Sequence, residues 1–178
     1  MFGLFKRRKL PADRLPRLAP NERVLAWSPT GEPATVEATV VATNLGLWWQ
    51  GERLGWHQIA KATWDGSAMT IIEARTVADR GGYAVIVDQP PRRLPLTDPD
   101  QLPHQVRLRV TSSVSYPRHH PLSGTPGGVW VAGRRIPGVD GLTWIVRYDD
   151  GVDADVPGVV AITDQLVAAA RADATPSD

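Results

Sequence analysis

The sequence predicts a mostly β protein of the α+β class, an antiparallel sandwich or barrel that is closed by a helix and followed by a C-terminal hairpin and helix. Turn signals rich in Gly, Pro, Asn and Asp recur about every 8–12 residues over the first half of the chain. The segments between them are short and rich in β-branched and aromatic residues, which suit a pleated surface. The 178 residues are enough for one sizeable domain with a small addition.

The first three strands are predicted at residues 24–27, 35–43 and 47–49. The turn Ser28-Pro29-Thr30-Gly31 ends the first strand, and Asn44 starts a tight connection after the second. Residues 35–43 carry six Thr and Val side chains, which favour strand.

Two hairpin signals organise the next part of the chain. The turn Gln50-Gly51-Glu52 follows the third strand, and Asp65-Gly66 supplies residues that tolerate positive φ. Gly81-Gly82 marks a further turn, and Pro90-Pro91 ends a β-rich segment. These signals predict further strands at residues 60–64, 69–73, 83–88 and 92–96.

A helix is favoured after this sheet. Leu102, Val106, Val110 and Val114 are spaced by four and share one helical face. Thr97 followed by Asp100 resembles a capping box, and Pro99 and Pro103 lie where a first helical turn tolerates proline. A strand is the alternative, because Val106, Leu108 and Val110 also alternate.

The remaining chain is predicted as a hairpin and a second helix. Residues 117–128 are predicted as a loop, and residues 129–136 and 142–148 as the paired strands. Residues 159–172 show helical spacing of apolar side chains, which leaves Thr163 and Asp164 on another face.

Several of these features resemble a bacterial pleckstrin-homology-like (PH-like) domain. Thr43-Asn44 ends a strand, Leu47-Trp48-Trp49 and the Gln50-Gly51-Glu52 turn follow, and Trp56 and Ile59 come next in the order seen in such domains. The likeness covers about residues 20–116 and is similar to an uncharacterised actinobacterial group. It implies a non-enzymatic module that binds lipid headgroups, peptides or other copies of itself.

We therefore predict four segments. Residues 1–20 form a basic, flexible arm, residues 21–116 the PH-like β domain, residues 117–173 a hairpin and helix packed on it, and residues 174–178 a disordered tail. The first 18 residues carry six basic and one acidic side chain, a net charge of +5, whereas the whole chain carries +1. This balance gives no reason to expect nucleic acid as a partner.

The arm is also a candidate membrane anchor. Phe2, Leu4 and Phe5 would insert into the inner face of the membrane, and Lys6, Arg7, Arg8 and Lys9 would meet anionic headgroups at about 1 kcal/mol per charge. A solubilising, disordered terminus is the alternative. The apolar residues precede the basic ones, the reverse of a secretory signal, so we expect a cytoplasmic protein.

Tryptophan and arginine supply the candidate partner contacts. Trp48 and Trp49 should face opposite sides of one strand, so one of them is a candidate partner anchor. Trp56 and Trp64 are assigned to core packing. Arg134 and Arg135, beside Arg147 on the paired strand, would offer a basic spot for an anion, although salt bridges to neighbouring acids explain them equally well.

No catalytic set is predicted, and neither a metal nor a cofactor. The chain has no cysteine, which excludes disulfides, thiolate nucleophiles and cysteine metal sites. An enzyme would need His57, His119, His120 and an acid from residues 149–155 in one concave site. The sequence therefore favours a binding or scaffold module, with a protein–protein adaptor or homo-oligomerisation domain as the alternative.

Overall fold

The structure is a computed structural model that describes residues 8–175. Two short 3₁₀ helices lie at Ala12–Arg14 and Trp56–Gln58. The strands are β1 (Val24–Pro29), β2 (Thr39–Thr43), β3 (Gly46–Trp49), β4 (Glu52–Gly55), β5 (Ile59–Trp64), β6 (Ala68–Asp79), β7 (Ala84–Asp88), β8 (Arg92–Pro95), β9 (Val114–Pro121), β10 (Gly128–Arg134) and β11 (Thr143–Tyr148). The helices are α1 (Leu102–Ser112) and α2 (Pro157–Ala174).

The described chain divides into two compact units. The first contains residues 8–73 and 90–111, and the second contains residues 74–89 and 112–175. The boundary predicted after residue 116 therefore lies within the second unit.

In the first unit, β1 to β4 form an antiparallel sheet in sequence order. Val41 of β2 lies opposite Trp27 of β1 and Trp48 of β3. The turn between β3 and β4 places Gln50 at a φ of 52° and Gly51 at a φ of 80°. Glycine adopts such a positive φ without strain. The predicted hairpin at this turn is confirmed.

A second sheet and α1 complete the first unit. Residues 69–73 of β6 pair with β5, and residues 68–71 of the same strand pair with β8, so β6 lies between them. Leu102, Val106 and Val110 of α1 are buried. The core cluster consists of Ala26, Val40, Ala42, Leu47, Trp56, Ile59, Met69, Ile71, Leu94, Leu96, Leu102, Val106 and Val110.

The second unit is a sheet covered by one helix. Its strand order is β6-β7-β11-β10-β9, and β7 with β11 is a parallel pair. Val159 and Val167 of α2 join a buried cluster with residues of the sheet. The cluster consists of Tyr83, Val85, Leu122, Val129, Val131, Trp144, Val146, Val159 and Val167.

The predicted fold class is confirmed: the protein is mostly β with two long helices, and both predicted helices and the 129–148 hairpin are present. The prediction of a loop at residues 117–128 is wrong over its first part, since β9 extends to Pro121 and pairs with β10. Prolines are tolerated there because β9 is an edge strand, where a missing N–H costs no ladder bond if it would face solvent.

The predicted start of α1 is also wrong. Thr97 donates to the carbonyl of Pro29 and caps no helix, and Asp100 has a φ of 42°, outside the helical region. The helix begins only at Leu102. Val114, predicted on its buried face, begins β9 and pairs with Arg134.

Three further predictions differ from the structure. Residues 35–38 turn instead of extending, because Thr35 accepts hydrogen bonds from Ala38 and Thr39. Thr163 is fully buried, not on an outer face. Residues 8–20 do not simply extend, since Leu10 is buried beside Trp27 and a 3₁₀ turn follows.

Candidate functional site

A groove of about 600 Å³ lies between β5 and α1 of the first unit. Its floor is apolar, with Trp64 and Met69 contributed by the sheet and Val106 by the helix. The complete lining is Ala62, Thr63, Trp64, Met69, Pro99, Asp100, Pro103, His104, Val106 and Arg107. An apolar groove with a few polar groups at its rim is the usual form of a binding site.

The strand β5 that lines the groove is an edge strand. Successive residues of a strand point to opposite faces, yet Ala62, Thr63 and Trp64 all line the groove. That is possible because an edge exposes both faces and the backbone between them. Among the strands of residues 8–175, β5 pairs with β6 on one side, and the backbone groups on its other side face away from the sheet.

The sequence of β5 leaves this edge open to another strand. It reads IAKATW, with no proline and one charged side chain, Lys61. In contrast, the edge strand β9 contains Pro117 and Pro121, which remove backbone donors. Native proteins use proline, charge and short length to protect sheet edges from unwanted pairing.

Other edges of the first unit carry protective features too. The edge strand β8 has only four residues, which include two arginines and Pro95. The edge strand β4 is equally short and carries Glu52 and Arg53. At β1, the guanidinium of Arg8 donates to the backbone carbonyl of Trp27 at 2.8 Å.

The rim of the groove is polar and carries both charges. Asp100, His104 and Arg107 are exposed and line it from the side of α1. Within residues 8–175, none of the three makes a hydrogen bond or ion pair through its side chain. The rim therefore offers charges that a ligand can meet.

The two candidate tryptophans of β3 lie on opposite faces, as predicted, and both are half-buried. Trp48 packs beside Trp27 and Val41 and donates to Glu22 at 2.7 Å. Trp49 packs against the main core of the first unit, with Arg92 over its ring at 4.9 Å. Each ring is thus engaged within the unit.

Glu22 explains why Trp48 is held in place. Its carboxylate accepts hydrogen bonds from Thr43, Trp48, Arg53 and the amide of Ala19, at 2.6–3.0 Å. Burial raises the pKa of Glu22, but these hydrogen bonds and the Arg53 charge outweigh burial, so the pKa lies below its usual value. The carboxylate stays ionised and fastens the N-terminal segment to the sheet.

The second unit contains an exposed tryptophan that sequence reasoning missed. Trp130 is 39% exposed and lies opposite His119 and Arg147 in the register of β10. The sequence contains a signal for this exposure, because Trp130 lies between two valines and neighbouring residues of a strand face opposite sides. Val129 and Val131 are fully buried, so Trp130 faces outward.

The two candidate arginines of β10 differ in exposure. Arg134 is buried and donates to Ser113 at 3.0 Å, so its side chain is not available to a surface partner. Burial and the Arg147 charge lower the pKa of Arg134. Arg135 is exposed and donates to Ser115 at 3.2 Å.

The predicted membrane anchor lies mostly outside the described residues. Phe2, Leu4, Phe5, Lys6 and Arg7 belong to that part of the chain. Lys9 is exposed. Arg8 stacks 3.8 Å from the Trp27 ring and pairs with Asp98, so its charge is already compensated within the first unit.

The second unit brings together one histidine and one acid named for the enzyme alternative. His119 donates to Asp149 at 2.7 Å, and the amide of Gly128 donates to the same oxygen. Both bonds lower the pKa of Asp149. Burial and the neighbouring charges lower the pKa of His120. Over residues 8–175, no group of three or more His, Cys, Asp or Glu side chains is arranged to hold a metal ion.

No helix in the described part of the chain is long and apolar enough to span a membrane. No protein-family model, curated protein or solved structure was found to match the chain.

Proposed function

We propose that the first unit is a PH-like, non-enzymatic module that binds an extended peptide segment of a partner protein along β5. The order of its elements supports the PH-like part of the proposal. A four-stranded antiparallel sheet is followed by β5, β6 and β8, and then by α1. This order matches the sheet-then-helix arrangement that the sequence resemblance implied.

The open edge of β5 is the observation that carries the proposed binding mode. An extended peptide laid beside an edge strand gains backbone hydrogen bonds, and neighbouring pockets take its alternate side chains. The β5 edge supplies the backbone groups, and the groove of about 600 Å³ against α1 supplies the pocket. β5 has six residues, so roughly three of them direct their backbone groups to the peptide.

The test begins with peptides selected by the full chain from a random phage-displayed library. Each backbone amide of a selected peptide is then methylated in turn. Strand addition predicts that every second methyl group weakens binding about tenfold, because one hydrogen bond contributes roughly 1–1.5 kcal/mol. The intervening methyl groups leave binding unchanged.

Amide hydrogen exchange locates the bound peptide. We expect slower exchange over β5 when peptide is present, with β9 as the internal reference. A selected peptide that protects another strand, or that shows no alternation on methylation, would contradict strand addition to β5. A chain that binds peptide only after a dimer dissociates would instead assign the edge to a second copy.

Peripheral membrane association is a second proposal, which rests on the apolar and basic residues at positions 2–7. The contacts of Arg8 support a version of it in which residues up to Arg7 provide the anchor, since Arg8 is held by Trp27 and Asp98. Inner-face localisation follows only from this second proposal.

A further inference from the structure

We infer that the β5–α1 groove selects a peptide segment in which an apolar residue lies between one basic and one acidic residue. The inference rests on the proposed function of this groove and adds the chemistry of its partner. Asp100 and Arg107 both line this groove and carry opposite charges.

The two charges lie well apart. Arg107 follows Leu102, the first residue of α1, by five residues, which corresponds to about 7.5 Å at 1.5 Å per helical residue. Asp100 lies two residues before Leu102, outside the helix. His104 lies between them on the same rim. Trp64, Met69 and Val106 form the apolar part of the same lining.

Asp100 and Arg107 differ from three arginines of the same unit, each of which is paired with an acid. Arg93 lies 2.5 Å from Asp65, Arg92 lies 3.7 Å from Glu73, and Arg53 lies 2.8 Å from Glu22. Within residues 8–175, Asp100 and Arg107 have no such partner and are exposed. A ligand with complementary charges gains two ion pairs there without breaking existing ones.

The spacing fits an extended peptide. Strand residues advance by about 3.3–3.4 Å, so roughly two to three residues cover the part of this interval that lies along α1. A basic residue then lies beside Asp100, an apolar side chain enters the groove above Met69, and an acidic residue lies beside Arg107. Charges of one sign at both ends would meet repulsion at one end, which provides specificity.

The experiment compares peptide selection by four forms of the full chain: wild type, Asp100→Asn, Arg107→Glu and Arg107→Gln. Leu108→Glu serves as the control, because Leu108 is 50% exposed on α1 but does not line the groove. Arg107→Gln and Leu108→Glu lower the net charge by the same one unit. Circular dichroism checks that each variant keeps its fold.

We expect wild-type peptides to be enriched in one acid and one base flanking an apolar residue. Arg107→Gln should weaken their binding about fivefold, consistent with exposed ion pairs of up to roughly 1 kcal/mol. Asp100→Asn should remove the preference for the base, and Leu108→Glu should change nothing. Arg107→Glu should select peptides with a base in place of the acid.

The outcomes separate the two proposals. If no form of the chain selects any peptide, the proposed function fails. If peptides bind along β5 but Arg107→Glu selects the same sequences as wild type, peptide binding stands and the charge selection is refuted. Equal losses from Arg107→Gln and Leu108→Glu would likewise refute it, because they would reflect net charge alone.

Discussion

Replacement of Glu22 by alanine should strongly destabilise the first unit. The Glu22 side chain is fully buried and accepts hydrogen bonds from Thr43, Trp48 and the amide of Ala19, in addition to the Arg53 ion pair. Alanine leaves these donors without their acceptor, and each buried unsatisfied donor costs about 1–3 kcal/mol.

The structure reduces the sum of these costs. Thr43 has a second acceptor in the carbonyl of Gly46 at 3.0 Å, while Trp48 is half-buried and can reach water. The side chain of Arg53 is 35% exposed. We therefore expect Glu22→Ala to lower the free energy of unfolding by about 3 kcal/mol, near the lower limit for breaking a buried pair.

Two variants separate hydrogen bonding from charge. Glu22→Gln keeps the shape and two acceptor contacts but places an amide nitrogen opposite Arg53, so a loss of about 1–2 kcal/mol is expected. Arg53→Ala should lose less than about 1 kcal/mol because the pair is partly exposed.

Urea denaturation followed by far-ultraviolet circular dichroism measures these differences without relying on Trp48 fluorescence. The expected order of destabilisation is Glu22→Ala, then Glu22→Gln, then Arg53→Ala. If Arg53→Ala destabilises as much as Glu22→Ala, the ion pair dominates and the hydrogen-bond argument is refuted.

The pH dependence of stability follows from the same carboxylate. The pKa of Glu22 in the folded protein lies below its ordinary value of 4.5, so its contribution is fully present above that value. This contribution is lost as the pH falls through the lower, folded-state pKa. The difference in free energy of unfolding between wild type and Glu22→Gln should therefore become smaller at acidic pH. A difference that does not change with pH would contradict the lowered pKa of Glu22.

Three other predictions concern separate sites. Thr163→Val should lower the free energy of unfolding by about 1–2 kcal/mol in thermal denaturation, because the Tyr148 hydroxyl loses an acceptor at 2.8 Å; Tyr148→Phe should add little in that background. His119→Ala should raise the pKa of Asp149 toward 3.8 in a carboxyl-carbon NMR titration, since its hydrogen bond to His119 is lost. The full chain should sediment with anionic vesicles at low salt and a chain beginning at Arg8 should not; sedimentation of both would place the contact outside residues 1–7.

Local sequence signals predicted much of the fold. The Asp65-Gly66 and Gln50-Gly51 turns and the periodicity of α2 are short-range patterns that can be read from the sequence. The failures at Thr97 and at β9 have a different origin. Both depend on contacts with other segments of the chain: Thr97 donates a hydrogen bond to Pro29, and β9 is held as a strand by its pairing with β10.

The candidate site was harder to predict from the sequence because it depends on β5 and α1 lying next to each other in the fold. Residues 60–64 and the α1 helix were each predicted, but nothing local to either segment shows that they enclose a groove. The unpaired state of Arg107 is likewise a tertiary property. Trp48 and Trp49 attracted attention by composition, yet their rings pack within the first unit.

The edge strands nevertheless differ in amino-acid composition, which the sequence shows directly. Once the edges are known, their composition can be examined directly: β9 contains two prolines and β8 two arginines with a proline, whereas β5 contains Ala, Thr and a single lysine. An open, six-residue edge is an aggregation risk unless something occupies it. In the proposed function, a specific peptide would account for both the open edge and the unpaired rim charges, because backbone pairing would satisfy the edge while the groove and its charges would restrict which segment can pair.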